Sequence, residues 1–183
     1  MGNHHLILGE LVDFLTGDIL VDTHDERYRQ KIARFLVQKK GYEKEHIEPS
    51  RPLIIVAGKN RGQIKVDFCI RLKGKIAMII KYGPGSLVTR YRPTLAMAKL
   101  VEPYQVPMAV VTNGKDAHVL DGVKGNLISK GLRSLPSAEQ LIKVVRKASF
   151  SKISDRRVEM EARIVYCYEI DGSCPCDDTV CKL

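Results

Sequence analysis

Tryptophan is absent from this chain of 183 residues, and aromatic side chains make up only 6% of it. Successive stacking of bases on aromatic platforms, as single-strand binders use, is therefore poorly supported. No apolar run approaches the roughly 20 residues that cross a bilayer, which excludes a transmembrane helix. The opening Met-Gly-Asn-His-His-Leu has no charged stretch followed by a long apolar one, so it does not read as a signal peptide. Leu6 stands where a myristoylation signal on Gly2 needs Ser or Thr. A Gly-x-x-x-x-Gly-Lys-Ser/Thr phosphate loop is also missing, which excludes a nucleotide-driven motor built on one. There is no internal repeat and no low-complexity tract. These absences leave a cytoplasmic globular protein as the expectation, with 44% apolar and 28% charged residues.

What is present is positive charge, unevenly spread. The net charge is +9, but residues 167–183 carry −3, so residues 1–166 carry +12. Such a surplus attracts polyanions, nucleic acid first among them. A well-solvated basic surface accounts for it equally, and charge alone does not choose.

The hydrophobic pattern alternates between helical and strand periods. Thr23-His24-Asp25-Glu26 fits a capping box opening a helix that runs to about Lys40, with Gly41 as its stop. Tyr28, Ile32, Phe35 and Leu36 would form its buried stripe. Leu53 to Ala57 is a short apolar strand, and Lys59-Asn60-Arg61-Gly62 a polar loop. From Ile64 the pattern alternates strictly, which predicts a half-buried strand with Ile64, Val66, Phe68, Ile70 and Leu72 on one face. Lys65, Asp67, Cys69 and Arg71 would occupy the other face. A turn at Lys73-Gly74-Lys75 returns the chain as Ile76 to Tyr82, setting Asp67 opposite the Ile79-to-Lys81 stretch. Pro93 to Val101 reads as a helix, Met108 to Thr112 and Ala117 to Leu120 as strands, and Ser137 and Ser154 as starts of two more helices. Strands interleaved with helices predict an α/β domain around a mixed sheet over residues 1–150, followed by a C-terminal helix and a cysteine-rich tail over 151–183.

Four short motifs then stand in a telling order. They are Glu26-Arg27-Tyr28-Arg29-Gln30, Lys65-Val66-Asp67-Phe68, Met78-Ile79-Ile80-Lys81 and Val111-Thr112-Asn113-Gly114. Helix, strand with Asp, turn, strand ending in Lys, then helix and strand resembles the PD-(D/E)XK nuclease superfamily. More narrowly, the chain resembles the N-terminal domain of type I restriction-enzyme R subunits and small stand-alone proteins related to it. The resemblance covers about residues 20–132 and implies a restriction-endonuclease-like fold. It implies a divalent metal, magnesium by the hardness of its oxygen ligands, with Asp67 as ligand, Lys81 as catalytic lysine and Glu26 as accessory acid. Ile79 departs from the pattern, since it occupies the place of the second acidic ligand. The helix that follows, where some family members supply this acid, offers Arg90, Arg92 and Lys99 but no carboxylate before Glu102. Each residue also has an ordinary reading: Glu26 as a helix cap, Asp67 as the partner of a neighbouring cation, Lys81 as the strand's exit to solvent.

Arg90, Arg92 and Lys99, together with the loop pair Lys59 and Arg61, are candidates for contacts to DNA phosphates, which position a protein without reading sequence. Four of the five cysteines, Cys167, Cys174, Cys176 and Cys181, lie near the end. Four thiolates suffice for zinc or an iron–sulfur cluster, although the spacing is not that of a zinc finger, and reduced thiols are the ordinary alternative. Cys69, alone in its strand, reads as structural. Three functions are thus in competition. The first is a DNA-associated protein of nuclease ancestry with catalysis weakened or lost, a pseudoenzyme. The others are an active magnesium-dependent endonuclease and a cysteine-metal module for protein interaction.

Overall fold

A computed structural model describes residues 7–172 and 180–183. A two-stranded hairpin, β1 (Gly9–Val12) and β2 (Ile19–Asp22), leads into helix α1 (His24–Lys40). Then come β3 (Ile47–Ala57), β4 (Asn60–Leu72), β5 (Lys75–Tyr82), helix α2 (Tyr91–Leu100), β6 (Met108–Thr112), β7 (Ala117–Asp121) and β8 (Leu127–Lys130). Helices α3 (Ala138–Lys147) and α4 (Asp155–Val165) follow, α4 continues into a π-helical segment, Tyr166–Asp171, and β9 (Val180–Lys182) ends the chain.

The main sheet runs β3-β4-β5-β6-β7-β8, with β9 on β4. Neighbours are antiparallel except β5 and β6, which are parallel and joined through α2. Residues from α1 and α3, among them Ile32, Leu36, Leu141 and Val145, cover one face with Phe68, Ile70 and Ile80. Residues from α2 and α4, among them Met97, Ala98, Ala162 and Val165, cover the other with Cys69, Ile79 and Ala109. The expected mixed α/β architecture is present, a restriction-endonuclease-like core. Among the described residues no helix is long and apolar enough to cross a membrane.

Several local expectations need correction. β4 is buried on both faces rather than one, and its alternation is not strict. Ile64 and Val66 pack with α4's side of the sheet, whereas Phe68, Ile70 and Leu72 pack with α1's side. The break falls at Asp67. Opposite it in β3, between the pairs Pro49↔Phe68 and Arg51↔Val66, Ser50 takes φ 51°, so both strands kink together. β3 begins six residues earlier than the apolar run suggested; Pro49 and Pro52 are tolerated because β3 is an edge strand. The polar loop shrinks to a turn, with Asn60, Arg61 and Gly62 already in β4. The capping box on α1 is only half made. Thr23 Oγ1 accepts from the Glu26 amide at 3.1 Å, but the Glu26 carboxylate turns to Gln30 and Arg29. By contrast, Ser137 and Gln140 form both bonds of the box on α3.

One irregularity decides the position of the Asp and Lys motifs relative to each other. Lys73 and Gly74, with φ 51° and 77°, form the two-residue turn of the β4–β5 hairpin, which favours positive φ at both positions. Leu72 then pairs with Lys75 and Arg71 with Ile76, but Ile70 pairs with Met78, leaving Ala77 as an extra residue in β5. Beyond this bulge Phe68 faces Ile80, the last pair of the ladder, so Asp67 and Lys81 are the next residues on the two strands. Without Ala77 the pairing would slip by one, and Lys81 would turn to the opposite face.

Ile79 is fully buried on the α2 side of β5. Ile79→Ala is expected to cost about 2–5 kcal/mol through the cavity it leaves. Ile79→Glu should cost on the order of 3 kcal/mol or more, because it buries a carboxylate without a partner. Urea unfolding of both variants checks this; an Ile79→Glu protein as stable as the parent would contradict the burial.

Candidate functional site

Asp67 lies where β4 stops pairing with β5, and it is 5% exposed. Its Oδ1 accepts from Arg29 Nε at 2.6 Å, reaching in from α1. Its Oδ2 accepts the backbone N–H of Tyr82 at 2.8 Å, so the carboxylate also caps the end of the β5 ladder. Lys81 Nζ lies 3.6 Å from the same Oδ2. The ammonium donates to the Lys65 carbonyl at 3.0 Å. That carbonyl sits in the stretch of β4 between Gly62–Ile64, which pair with β9, and Phe68–Leu72, which pair with β5. Lys81 thus fills an interval in the ladder. Its other neighbour is Glu169, from the π-helical segment, with Oε2 at 3.8 Å.

The α1 side of the site is built by one helical face. Arg29 stacks over the Tyr82 ring at 5.3 Å and meets Glu26 at 3.4 Å. Gln30 donates to Glu26 at 2.9 Å and to Asp13 at 3.0 Å, and its carbonyl accepts from the Phe14 amide at 2.7 Å. Gln30 therefore ties the β1–β2 turn to the helix. Tyr28 stacks on Tyr82 and packs closely against Gly114; a Cβ there would fall 2.3 Å from the ring, and φ is +81°. This is why the strand-end motif needs glycine. The four motifs named from the sequence converge here: Glu26, Tyr28 and Gln30, then Asp67, Lys81 and Gly114.

Burial pushes the Asp67 carboxyl up. The Lys81 ammonium, the Arg29 guanidinium with its hydrogen bond, and the Tyr82 amide outweigh that and hold it below the usual carboxylate range. The donor set as placed does not fit magnesium. Arg29 holds one Asp67 oxygen and Tyr82 with Lys81 the other, and Ile79 contributes no oxygen. Among the described residues no three His, Cys, Asp or Glu side chains converge to hold a cation.

The phosphate-contact candidates scatter. Arg92 and Lys99 are paired with the fully buried Glu161 of α4, at 2.5 and 3.2 Å, alongside Arg157 at 2.7 Å. Arg90 folds over Gly83 and donates to the Pro84 carbonyl at 3.2 Å. Lys59 and Arg61 are exposed at the β3–β4 turn, roughly 20 Å along β4 from Asp67. Cys167 and Cys181 are exposed free thiols, while Cys174 and Cys176 lie outside the described residues. Cys69 is buried, and burial pushes its thiol up to about 12, which makes it inert.

Arg29 and Glu169 escaped the reading of the sequence. Arg29 was within reach, since it lies three residues from Glu26 on one helical face. Glu169 had no local signal. His118 is a third addition. Lys81 pairs with Val111, and Val111 with His118, so His118 shares the face of Lys81 two strands away. Its Nδ1 lies 2.5 Å from the Tyr91 hydroxyl at the start of α2.

Residues 24–136 match the type I restriction enzyme R protein N terminus (HSDR_N) family. The chain belongs to this family. The matched span contains all four motifs and every residue of the Asp67 site except Asp13, Phe14 and Glu169. Neither the curated proteins nor the solved structures contain a match to it.

Asp67→Asn keeps the shape but takes the shared carboxylate from buried Lys81 and half-buried Arg29, leaving them only the longer contacts to Glu169 and Glu26. It is expected to cost about 3–5 kcal/mol at neutral pH. A depressed folded pKa contributes stability above the ordinary value of 3.8 and loses it as pH falls through the folded value. The difference between the parent and Asp67→Asn should therefore shrink below about pH 4, as urea titrations at neutral and acid pH would show. A constant difference down to the lowest pH at which the parent folds would contradict the pairing.

Proposed function

We propose that this member of the family is a nucleic-acid-associated protein whose inherited nuclease site no longer works as a metal-dependent phosphodiesterase. The observation that carries this is the Arg29–Asp67 bond: a guanidinium is seated on the carboxylate oxygen that a cation would need. The buried Ile79 in the place of the second acidic ligand supports it. Family membership supports an association with nucleic acid, as does the +12 carried by residues 1–166. Binding would be through phosphates and therefore insensitive to sequence. The fold is inherited, and the chemistry rests on the site alone.

Plasmid DNA incubated with the protein and magnesium or manganese should show no sustained cleavage. Duplex DNA should be bound, with affinity falling steeply between about 50 and 200 mM salt. Cleavage abolished by Asp67→Asn, and also by Glu169→Gln, would replace this reading with an active endonuclease that draws its second acid from the C-terminal segment. Absence of salt-dependent binding would remove the nucleic acid.

A further inference from the structure

The Tyr166–Asp171 segment lies against the Asp67–Lys81 pair. Glu169 Oε2 stands 3.8 Å from Lys81 Nζ. The next residue, Ile170, is fully buried, and it fits because position 62 is glycine. A Cβ at Gly62 would meet Ile170 Cδ1 at 2.8 Å and the Cys181 carbonyl at 2.9 Å. Gly62 is thus a socket for both described parts of the segment. β9 adds three residue pairs with Gly62–Ile64, and Lys182 reaches back to Asp171 at 3.8 Å.

This attachment is specific but slight. The strand has three residues, the π-helical segment is an uncommon form, and the ion pairs are long. Opening exposes Ile170 but otherwise breaks only these few contacts, so this segment releases more readily than the strands it lies on. Nor does Lys81 need Glu169 for neutralisation, because Asp67 and the Lys65 carbonyl already engage it. With Glu169 docked, three carboxylates (Glu26, Asp67 and Glu169) surround two cations, Arg29 and Lys81. With it withdrawn the excess of negative charge is smaller, and Lys81 loses its contact on the Glu169 side. A phosphodiester offers Lys81 what a carboxylate does, one negative charge on oxygen acceptors that take a charge-assisted hydrogen bond.

We propose that the Tyr166–Asp171 segment with β9 is a strap that sets the Glu169 carboxylate where a nucleic-acid phosphate binds Lys81, so that the chain competes with its own ligand. The inference rests on the nucleic-acid reading above and names the residue through which that binding is controlled.

Glu169→Gln and Gly62→Val test it in the full chain. The first removes the charge without disturbing Ile170; the second blocks the socket. Binding of a short DNA duplex is followed by fluorescence anisotropy at low salt. Acetylation of Lys81 by acetic anhydride is followed by peptide mass spectrometry. Both variants should bind the duplex about three- to tenfold more tightly, and Lys81 should acetylate several-fold faster in each. Adding Lys81→Met to Glu169→Gln should cancel the gain in affinity. If parent and variants bind the duplex equally, or Lys81 reacts at the parent's rate in both variants, the strap is overturned while the nucleic-acid reading stands. If none of them binds DNA, both are overturned.

Discussion

The site is organised around one buried carboxylate that answers to both faces of the sheet. Asp67 takes a guanidinium from α1, on one side, and lies beside an ammonium that projects toward α4's side. It also receives the last amide of β5. A lone carboxylate buried to this degree would be strongly disfavoured in its charged form. Here the surrounding cations and the amide make the charged form the preferred one. Arg29 and Lys81 need Asp67 for the same reason in reverse. Removing Asp67 takes from both cations the carboxylate they share, so the three are coupled.

That unit depends on backbone events that carry no chemistry of their own. The Ala77 bulge sets Lys81 beside Asp67 instead of on the opposite face. The kink at Ser50 and Asp67 lets β4 change its packing face between Val66 and Phe68. Because β9 begins pairing only at Gly62–Ile64, the Lys65 carbonyl between the two ladders is open to the Lys81 ammonium. A regular hairpin with unbroken alternation would give the same composition and the same motifs without bringing the two charges together.

Much of this architecture was legible in the sequence because it rests on local signals. The helix starts at Thr23, Ser137 and Ser154 follow from side-chain oxygens that accept the orphan amides of the first turn, and all three caps form. The motif order pointed to the family, and the residues quoted for it do meet in space. What was not legible depends on distance or on small departures from regularity. The bulge is one residue with no signature, and Pro49 and Pro52 concealed the first half of an edge strand. Glu161 could not be matched to Arg92 and Lys99 in advance, since the packing of α4 on α2 brings them together from well-separated parts of the chain. Glu169 is the sharpest instance. The helix after β5 was the natural place to seek a second acid, but the acid beside Lys81 comes from the far end of the chain.

The charge distribution now has a more particular meaning than a net figure suggests. Several of the basic residues that made the chain look like a DNA binder are consumed internally: Arg92, Lys99 and Arg157 by Glu161, Arg51 and Arg71 by Glu48 and Glu102, Arg29 by Asp67. A neutralised pair adds little to the field beyond its immediate surroundings, but three cations share the one Glu161, so attraction at a distance comes from that surplus and from the exposed remainder, Lys59, Arg61 and Lys65 among them. At about 0.1 M salt that field reaches on the order of 10 Å. It can gather a polyanion to the surface, but the Asp67 site itself presents more carboxylates than cations. Long-range attraction and short-range exclusion are therefore separate properties of this molecule, and the second is set by the position of Glu169.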